Sequence, residues 1–239
     1  MVRIDKLICE NSEYSRSEIK KLIKKGLVSV NGHKVLSADT KVDEDVSVFI
    51  DQKPLKVRKH IYLMLNKPKG FVSATEDSLS HTVLELIPRE YAGKKLFPAG
   101  RLDKDTTGFM IITDDGDFAH RILSPKNHVE KVYLAQLDTP VTDEMIRSFE
   151  QGVTLFDGSL CMRAELSAAD ETGLLARVVL REGMYHQIKR MFGVFNAGVN
   201  ELRRIEIGSV PLDASLREGE CRELTLDELS KIDINSRFF

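Results

Sequence analysis

The 239-residue sequence predicts an α+β fold in two parts, a small helix-helix-strand head and a larger mixed body of strands and helices. Three observations carry this reading. Two short apolar stripes at helical spacing near the N-terminus run into a tight-turn signal. From residue 61 continuous apolar runs of strand length take over. Between them lies a polar stretch with a proline, residues 51–60, composed like an interdomain linker and basic enough to touch RNA itself.

In the head, Ile4, Leu7 and Ile8 fall at i, i+3, i+4, as do Ile19, Leu22 and Ile23, so each segment predicts a helix with one apolar face. Ser15 or Ser17 can cap the second helix and Gly26 can end it. Residues 27–30 read as a strand, Asn31-Gly32 as a hairpin turn, and residues 46–50 as a closing strand. Arg16, Lys20, Lys21, Lys24 and Lys25 lie off the apolar stripe of the second helix. They form either a solvated charged face or a phosphate-contacting one.

In the body, residues 61–65 and 109–112 read as buried strands, and residues 133–137 and 176–180 are strand-like. A short helix is expected over residues 117–123, after the Asp114-Asp115-Gly116 turn. Tyr185, Ile188, Met191, Phe192 and Phe195 keep helical spacing, and Thr225 with Glu228 forms a capping box for a last helix.

Composition excludes several classes. With 42% apolar and 30% charged residues the chain can build a sizeable core, so wholesale disorder is not expected. No apolar run approaches the ~20 residues of a bilayer span, and an acid stands where a signal peptide would begin its apolar stretch. Cys9, Cys161 and Cys221 are far apart and show no metal-ligand spacing, which suits free thiols in a reducing cytoplasm. The net charge of −2 conceals an asymmetry: residues 1–59 hold 13 Lys+Arg against 9 Asp+Glu, and the rest is acidic. A basic head on an acidic body suits a polyanionic partner bound through the head, although a solvated surface would account for the imbalance too.

The segment richest in chemistry is Ala99-Gly100-Arg101-Leu102-Asp103-Lys104-Asp105-Thr106-Thr107-Gly108, a glycine-bracketed polar loop at the mouth of a buried strand. A carboxylate there can be a nucleophile, a base or a metal ligand. Asp103, Asp105, Thr107, Gly108 and Asp114 occupy positions 1, 3, 5, 6 and 12 of a calcium loop, but Phe97-Pro98-Ala99-Gly100 cannot readily supply the incoming helix.

This loop, followed by its apolar strand, resembles the catalytic motif of the RsuA-type ribosomal small-subunit pseudouridine synthases. Asn66-Lys67-Pro68-Lys69-Gly70, the segment His128 to Tyr133, and Glu182 to Phe192 with Leu202-Arg203-Arg204 and Ile207-Gly208 resemble the other motifs of that family, in order. The head resembles the S4 RNA-binding domain through Arg3-Ile4-Asp5-Lys6-Leu7, Ser15-Arg16-Ser17 and the segment Gly26 to Gly32. The likeness runs from about residue 2 to 228.

The resemblance implies an S4 domain with linker over residues 1–58, then a catalytic domain over 59–239 built on a mixed, mainly antiparallel sheet with flanking helices. It implies an isomerase that detaches uracil from ribose and rejoins it through carbon, without metal or cofactor, at a 16S ribosomal RNA uridine of the uridine-516 class. Asp103 would be the nucleophile, kept ionised by a contact with Lys189, and Tyr133 would stack on the extruded uracil. Leu202 would line the uracil pocket. Arg101, Arg190 and Arg203 would be wedge or phosphate contacts, and Lys67 and Gly70 would shape the loop beneath Asp103. Arg16, Lys20, Lys21 and Lys24 would bind RNA phosphates. For His186, packing or an RNA contact is expected rather than general-base duty. The partner would be ribosomal RNA or an assembling small ribosomal subunit, met by a cytoplasmic monomer with no membrane association. A large-subunit synthase of the same family and a non-catalytic S4 protein are the alternatives.

Overall fold

The computed structural model describes residues 1–43, 46–55, 57, 60–91 and 93–233. The chain divides into two compact units, residues 1–60 and 61–239. In the first, β1 (Val2–Arg3) leads into α1 (Ile4–Glu10) and α2 (Arg16–Lys24), followed by β2 (Val28–Val30), β3 (His33–Lys34), β4 (Lys41–Val42), β5 (Val48–Ile50) and β6 (Lys53–Leu55). Ser15 caps α2 by accepting from the Glu18 backbone, and the Glu18 side chain bonds back to the Ser15 backbone, a full capping box. Ile4, Leu7, Ile8, Ile19 and Ile23 bury together with Val28, Val48 and Ile50, as their spacing predicts.

The first half of the expected linker is structured. β6 pairs with β5 at the edge of the four-stranded sheet, Phe49 opposite Pro54. Proline is compatible with an edge, where a missing N–H breaks no ladder. Lys56, Arg58 and Lys59, the basic part of that segment, lie outside the described residues.

The second unit contains β7 (Tyr62–Lys67), β8 (Phe97–Pro98), β9 (Thr107–Thr113), α3 (Gly116–Leu123), β10 (Lys131–Leu137), α4 (Asp143–Gln151), β11 (Glu165–Ala168), β12 (Leu175–Leu180), α5 (Gln187–Gly193), β13 (Val199–Ile207), β14 (Val210–Pro211), β15 (Cys221–Glu223) and α6 (Leu226–Ile232). Among the described residues they form a nine-stranded sheet with main order β11-β12-β10-β13-β9-β7-β15. The fold is α+β, and every pairing is antiparallel except β9 with β13.

Strand alternation sorts the apolar side chains onto two faces. Leu63, Leu65, Met110 and Ile112 pack with Phe149 of α4 and with Ile188, Met191 and Phe192 of α5. Met64, Phe109 and Ile111 pack with Phe118 of α3 and Leu229 of α6. Thr225 and Glu228 form the expected capping box on α6. Among the described residues no helix is long and apolar enough to cross a membrane, and all three cysteines are free.

Two expectations need correction. α5 begins at Gln187, so Tyr185 belongs to the preceding turn and is exposed, and Phe195 lies beyond the helix end. The calcium-loop alternative fails because residues 97–98 are strand rather than helix, and its later positions fall in β9 with Ile111 fully buried.

Candidate active site

The site begins with the alternation of β7. Lys67 shares the face of Leu63 and Leu65 and is fully buried. Its ammonium donates to the carbonyls of Thr106 at 2.8 Å, Asp103 and Pro68 at 3.1 Å, and Lys104 at 3.4 Å. Burial lowers its pKa to about 8, and the carboxylates of Asp105 and Asp103 oppose that shift. Lys67 therefore ties the carbonyls of the polar loop to one point. Gly70 contributes a backbone bond to the Lys104 carbonyl of 2.8 Å.

Ser73, which sequence patterning did not single out, clamps the residue before the aspartate. Its hydroxyl donates to the Leu102 carbonyl at 2.6 Å and accepts from the Leu102 amide at 2.9 Å. Where the loop enters β9, Gly108 has φ +98°, and a Cβ there would lie 2.2 Å from the Arg204 carbonyl oxygen. Glycine is thus required where β9 runs alongside β13, and this approach sets Arg204 opposite Gly108.

Leu102, Tyr133, Leu202 and Ile188 come from four different segments and belong to one buried cluster. Each stands beside a polar or charged group: Asp103 follows Leu102, and Lys189 follows Ile188. Tyr133 pairs across strands with Arg204, next to a β-bulge at Val132/Tyr133. Arg204 is 3% exposed. Its Nε donates to the Phe109 carbonyl at 2.6 Å and its Nη1 to the Tyr133 hydroxyl at 3.4 Å. Nη2 has no hydrogen-bond partner among the described residues, so one donor of a buried cation stays unused beside the tyrosine. Alternation from Leu202 to Arg204 was the available signal for this residue.

The carboxylate of Asp103 is 26% exposed, at the surface of this cluster. The contact expected between Asp103 and Lys189 is not the one formed. Lys189 Nζ pairs with Asp105 Oδ2 at 2.5 Å, and this ammonium holds the Asp105 carboxyl below the usual range. His186 Nε2 instead lies 3.4 Å from Asp103 Oδ1. The reason is local: His186 takes a left-handed backbone, φ 49°, which turns its ring toward the loop. Helical periodicity assigns that position no such direction.

Two expected RNA-contacting arginines are engaged within the protein. Arg190 pairs with Asp157 and donates to the Tyr185 carbonyl. Arg203 bonds Glu218 and Asn66, each at 3.3 Å, and lines an open cleft with Lys69, Gln136, Glu201 and Glu218. Arg101 is exposed, and so are Arg16, Lys20, Lys21 and Lys24 on the outer face of α2.

A family model described as RNA pseudouridylate synthase matches residues 61–193, the span that holds Lys67, Asp103, Tyr133 and Lys189. The chain belongs to that family. As the residues of the head lead one to expect, an S4 domain model matches residues 2–48. Over 231 residues the synthase is 41% identical to a Bacillus subtilis protein named as the uncharacterized RNA pseudouridine synthase YtzG, covering 95% of this chain and 97% of that one. It is also 41% identical over 234 residues to ribosomal small subunit pseudouridine synthase A of Escherichia coli, covering 97% and 100%. A crystal structure described as pseudouridylate synthase superposes with a TM-score of 0.68 at 38% identity, covering 97% of this chain and all of that one.

In chemical terms, the synthase presents the partly exposed carboxylate of Asp103, with that of Asp105 taken by Lys189, on a loop fixed from below by Lys67 and from behind by Ser73. Beside it lies an apolar cluster that includes a tyrosine tethered to a buried guanidinium. A fixed carboxylate suits covalent or proton-transfer chemistry on a sugar, and the cluster suits a flat apolar ring. Among the described residues no group of three His, Cys, Asp or Glu side chains is placed to hold a metal ion.

Proposed function

We propose that this synthase converts one uridine of 16S ribosomal RNA, at the uridine-516 class site, to pseudouridine, with Asp103 as nucleophile. The observation that carries the reading is end-to-end likeness to ribosomal small subunit pseudouridine synthase A, S4 head included, combined with the pinned Asp103 loop. Mapping pseudouridines in ribosomal RNA from cells with and without the protein tests it. Loss of one small-subunit site is expected; loss confined to the large subunit would favour the other branch of the family.

The target must leave its stack, at a cost of a few kcal/mol that is smallest in loops and single strands. Once extruded, its uracil lies against Tyr133 and Leu202, with ribose toward Asp103. The ionised Asp103 oxygen either attacks the sugar or takes a proton from it. In both cases the glycosidic bond to nitrogen breaks, the freed ring turns on the apolar surface, and carbon 5 bonds the sugar as Asp103 gives up its sugar bond or returns its proton; carbon 5 then loses its proton to solvent and the freed nitrogen gains one.

Lys189, on α5, pairs with Asp105 and so fixes from that side the loop that bears the nucleophile, with its positive charge close to the reacting centre. Lys189→Ala is expected to slow turnover by about two orders of magnitude, within the range typical of losing an electrostatic stabiliser. A near-normal rate would detach this lysine from the chemistry.

Arg16, Lys20, Lys21 and Lys24 are assigned to phosphates, and Arg101 to the RNA beside the target. Replacing Lys20, Lys21 and Lys24 together with alanine should weaken RNA binding and lower the slope of log affinity against log salt by about 2, at ~0.7 per single-strand phosphate contact. An unchanged slope would remove the α2 face from the interface. The protein acts as a cytoplasmic monomer on ribosomal RNA or an assembling small subunit.

A further inference from the structure

The turn entering α5 exposes an aromatic ring that no step of the isomerisation uses. Tyr185 is 74% accessible to solvent. Its ring nonetheless lies parallel to that of His186, with centroids 3.9 Å apart and 17° between the planes. The left-handed backbone of His186 folds one ring onto its neighbour, an arrangement that regular helix or strand geometry does not give adjacent residues.

The stack is anchored on both sides. His186 Nε2 lies 3.4 Å from Asp103 Oδ1. The Tyr185 carbonyl accepts from Arg190 Nη1 at 3.3 Å, and Arg190 is in turn paired with Asp157. On either side of the two rings the chain is fixed by the buried Gln187 side chain, which accepts from the Met184 amide at 3.0 Å and donates to Glu182 at 2.6 Å.

A tyrosine held this way has lost its freedom already, so covering its outer face costs little additional entropy. His186 occupies the inner face, and the outer face meets water. Flat aromatic surfaces of this kind accept nucleobases without regard to sequence, because every base has a π face. The nucleophile is one ring away. When a uridine turns out of its strand toward Asp103, the base next to it loses a stacking partner.

Resting on the reading of Asp103 as the uridine site, we infer that the Tyr185–His186 pair is a stacking platform for the nucleobase adjacent to the target uridine. The platform replaces the partner that the neighbour loses. It reads the presence of a base rather than its hydrogen-bonding edge, so it holds the strand in place and leaves sequence choice to other contacts.

The test uses the full-length chain carrying Asp103→Asn, which is expected to bind without turnover. The probe is an RNA hairpin spanning the mapped uridine, with 2-aminopurine on its 5′ side in one version and on its 3′ side in another. Quenching of 2-aminopurine fluorescence on binding is expected at one of the two flanks. Adding Tyr185→Ala should abolish that quenching and weaken binding about tenfold, whereas Tyr185→Phe, which keeps the ring, should preserve both. In the active chain, Tyr185→Ala should raise KM about tenfold and change kcat less than threefold. A hairpin that binds with no dependence on Tyr185 overturns the platform alone, leaves Asp103 in place and points to a protein partner for the ring. A hairpin that does not bind overturns the platform and the uridine site together.

Discussion

Asp103→Asn is expected to lower turnover by at least about 10⁴-fold, the scale on which removal of a nucleophile acts, while fold and RNA affinity stay near wild type. The substitution is isosteric and replaces only the side-chain oxygen chemistry. The bonds that hold the loop use the Asp103 carbonyl, which accepts from Lys67 and from the Thr106 amide, and asparagine keeps that carbonyl. The side chain's own contact is with the His186 ring at 3.4 Å, on a partly exposed surface, so its loss is worth little stability. An amide oxygen neither attacks a sugar carbon usefully nor accepts its proton. Single-turnover rates and RNA affinity of the two proteins, measured side by side, separate chemistry from binding. A variant within tenfold of wild type would mean that another group does the work.

Lys67→Met carries the second largest effect and acts on stability and rate together. Methionine matches the length of the lysine stem but offers no donor: the Asp103 and Lys104 carbonyls keep their backbone amides, while those of Pro68 and Thr106 are left facing a thioether. Buried acceptors without partners cost about 1–3 kcal/mol each in unfavourable cases, so a loss of about 3 kcal/mol or more is expected in urea unfolding. A loop displaced by ~1 Å beneath its nucleophile is expected to cost about 10²-fold in turnover. The same variant removes a pH dependence. Burial lowers the folded lysine to about 8, whereas an unfolded lysine titrates near ~10.4. Between pH 8 and 10 the unfolded chain therefore holds the extra proton, and rising pH favours the fold through this group by ~1.4 kcal/mol per pH unit. Wild type should gain on Lys67→Met across that window. A constant difference would show that the buried amine keeps its proton, and wild-type turnover would show that the loop positions Asp103 without it.

What the sequence makes legible follows from how local each feature is. The head reads directly because its helices, cap and hairpin depend on neighbours within a few residues. The strands at Leu63 and Ile111 read directly because burial on both faces leaves a continuous apolar run. β6 is hidden by Pro54, which argues against a strand except at a sheet edge, its actual place. β13 is hidden by its charge: Glu201, Arg203, Arg204 and Glu206 disguise an alternation in which Arg204 turns inward. α4 could have been found from Thr142 as cap with Met145 and Phe149 on one face. The loop carbonyls meeting Lys67, and the choice of Asp105 over Asp103 by Lys189, depend on side-chain directions set by distant segments. A motif brings residues into one site; it does not decide which of two aspartates takes the lysine.

The most direct test supplies uridine tritiated at carbon 5, the atom that must exchange hydrogen for ribose, within a full 16S transcript. Incubated with the intact chain, the transcript should release tritium to water up to one equivalent per RNA and then stop, with the Asp103→Asn protein releasing none. Absence of release by a folded wild-type chain from both the transcript and the same transcript assembled with small-subunit proteins, or equal release from the variant, would contradict the account at its root.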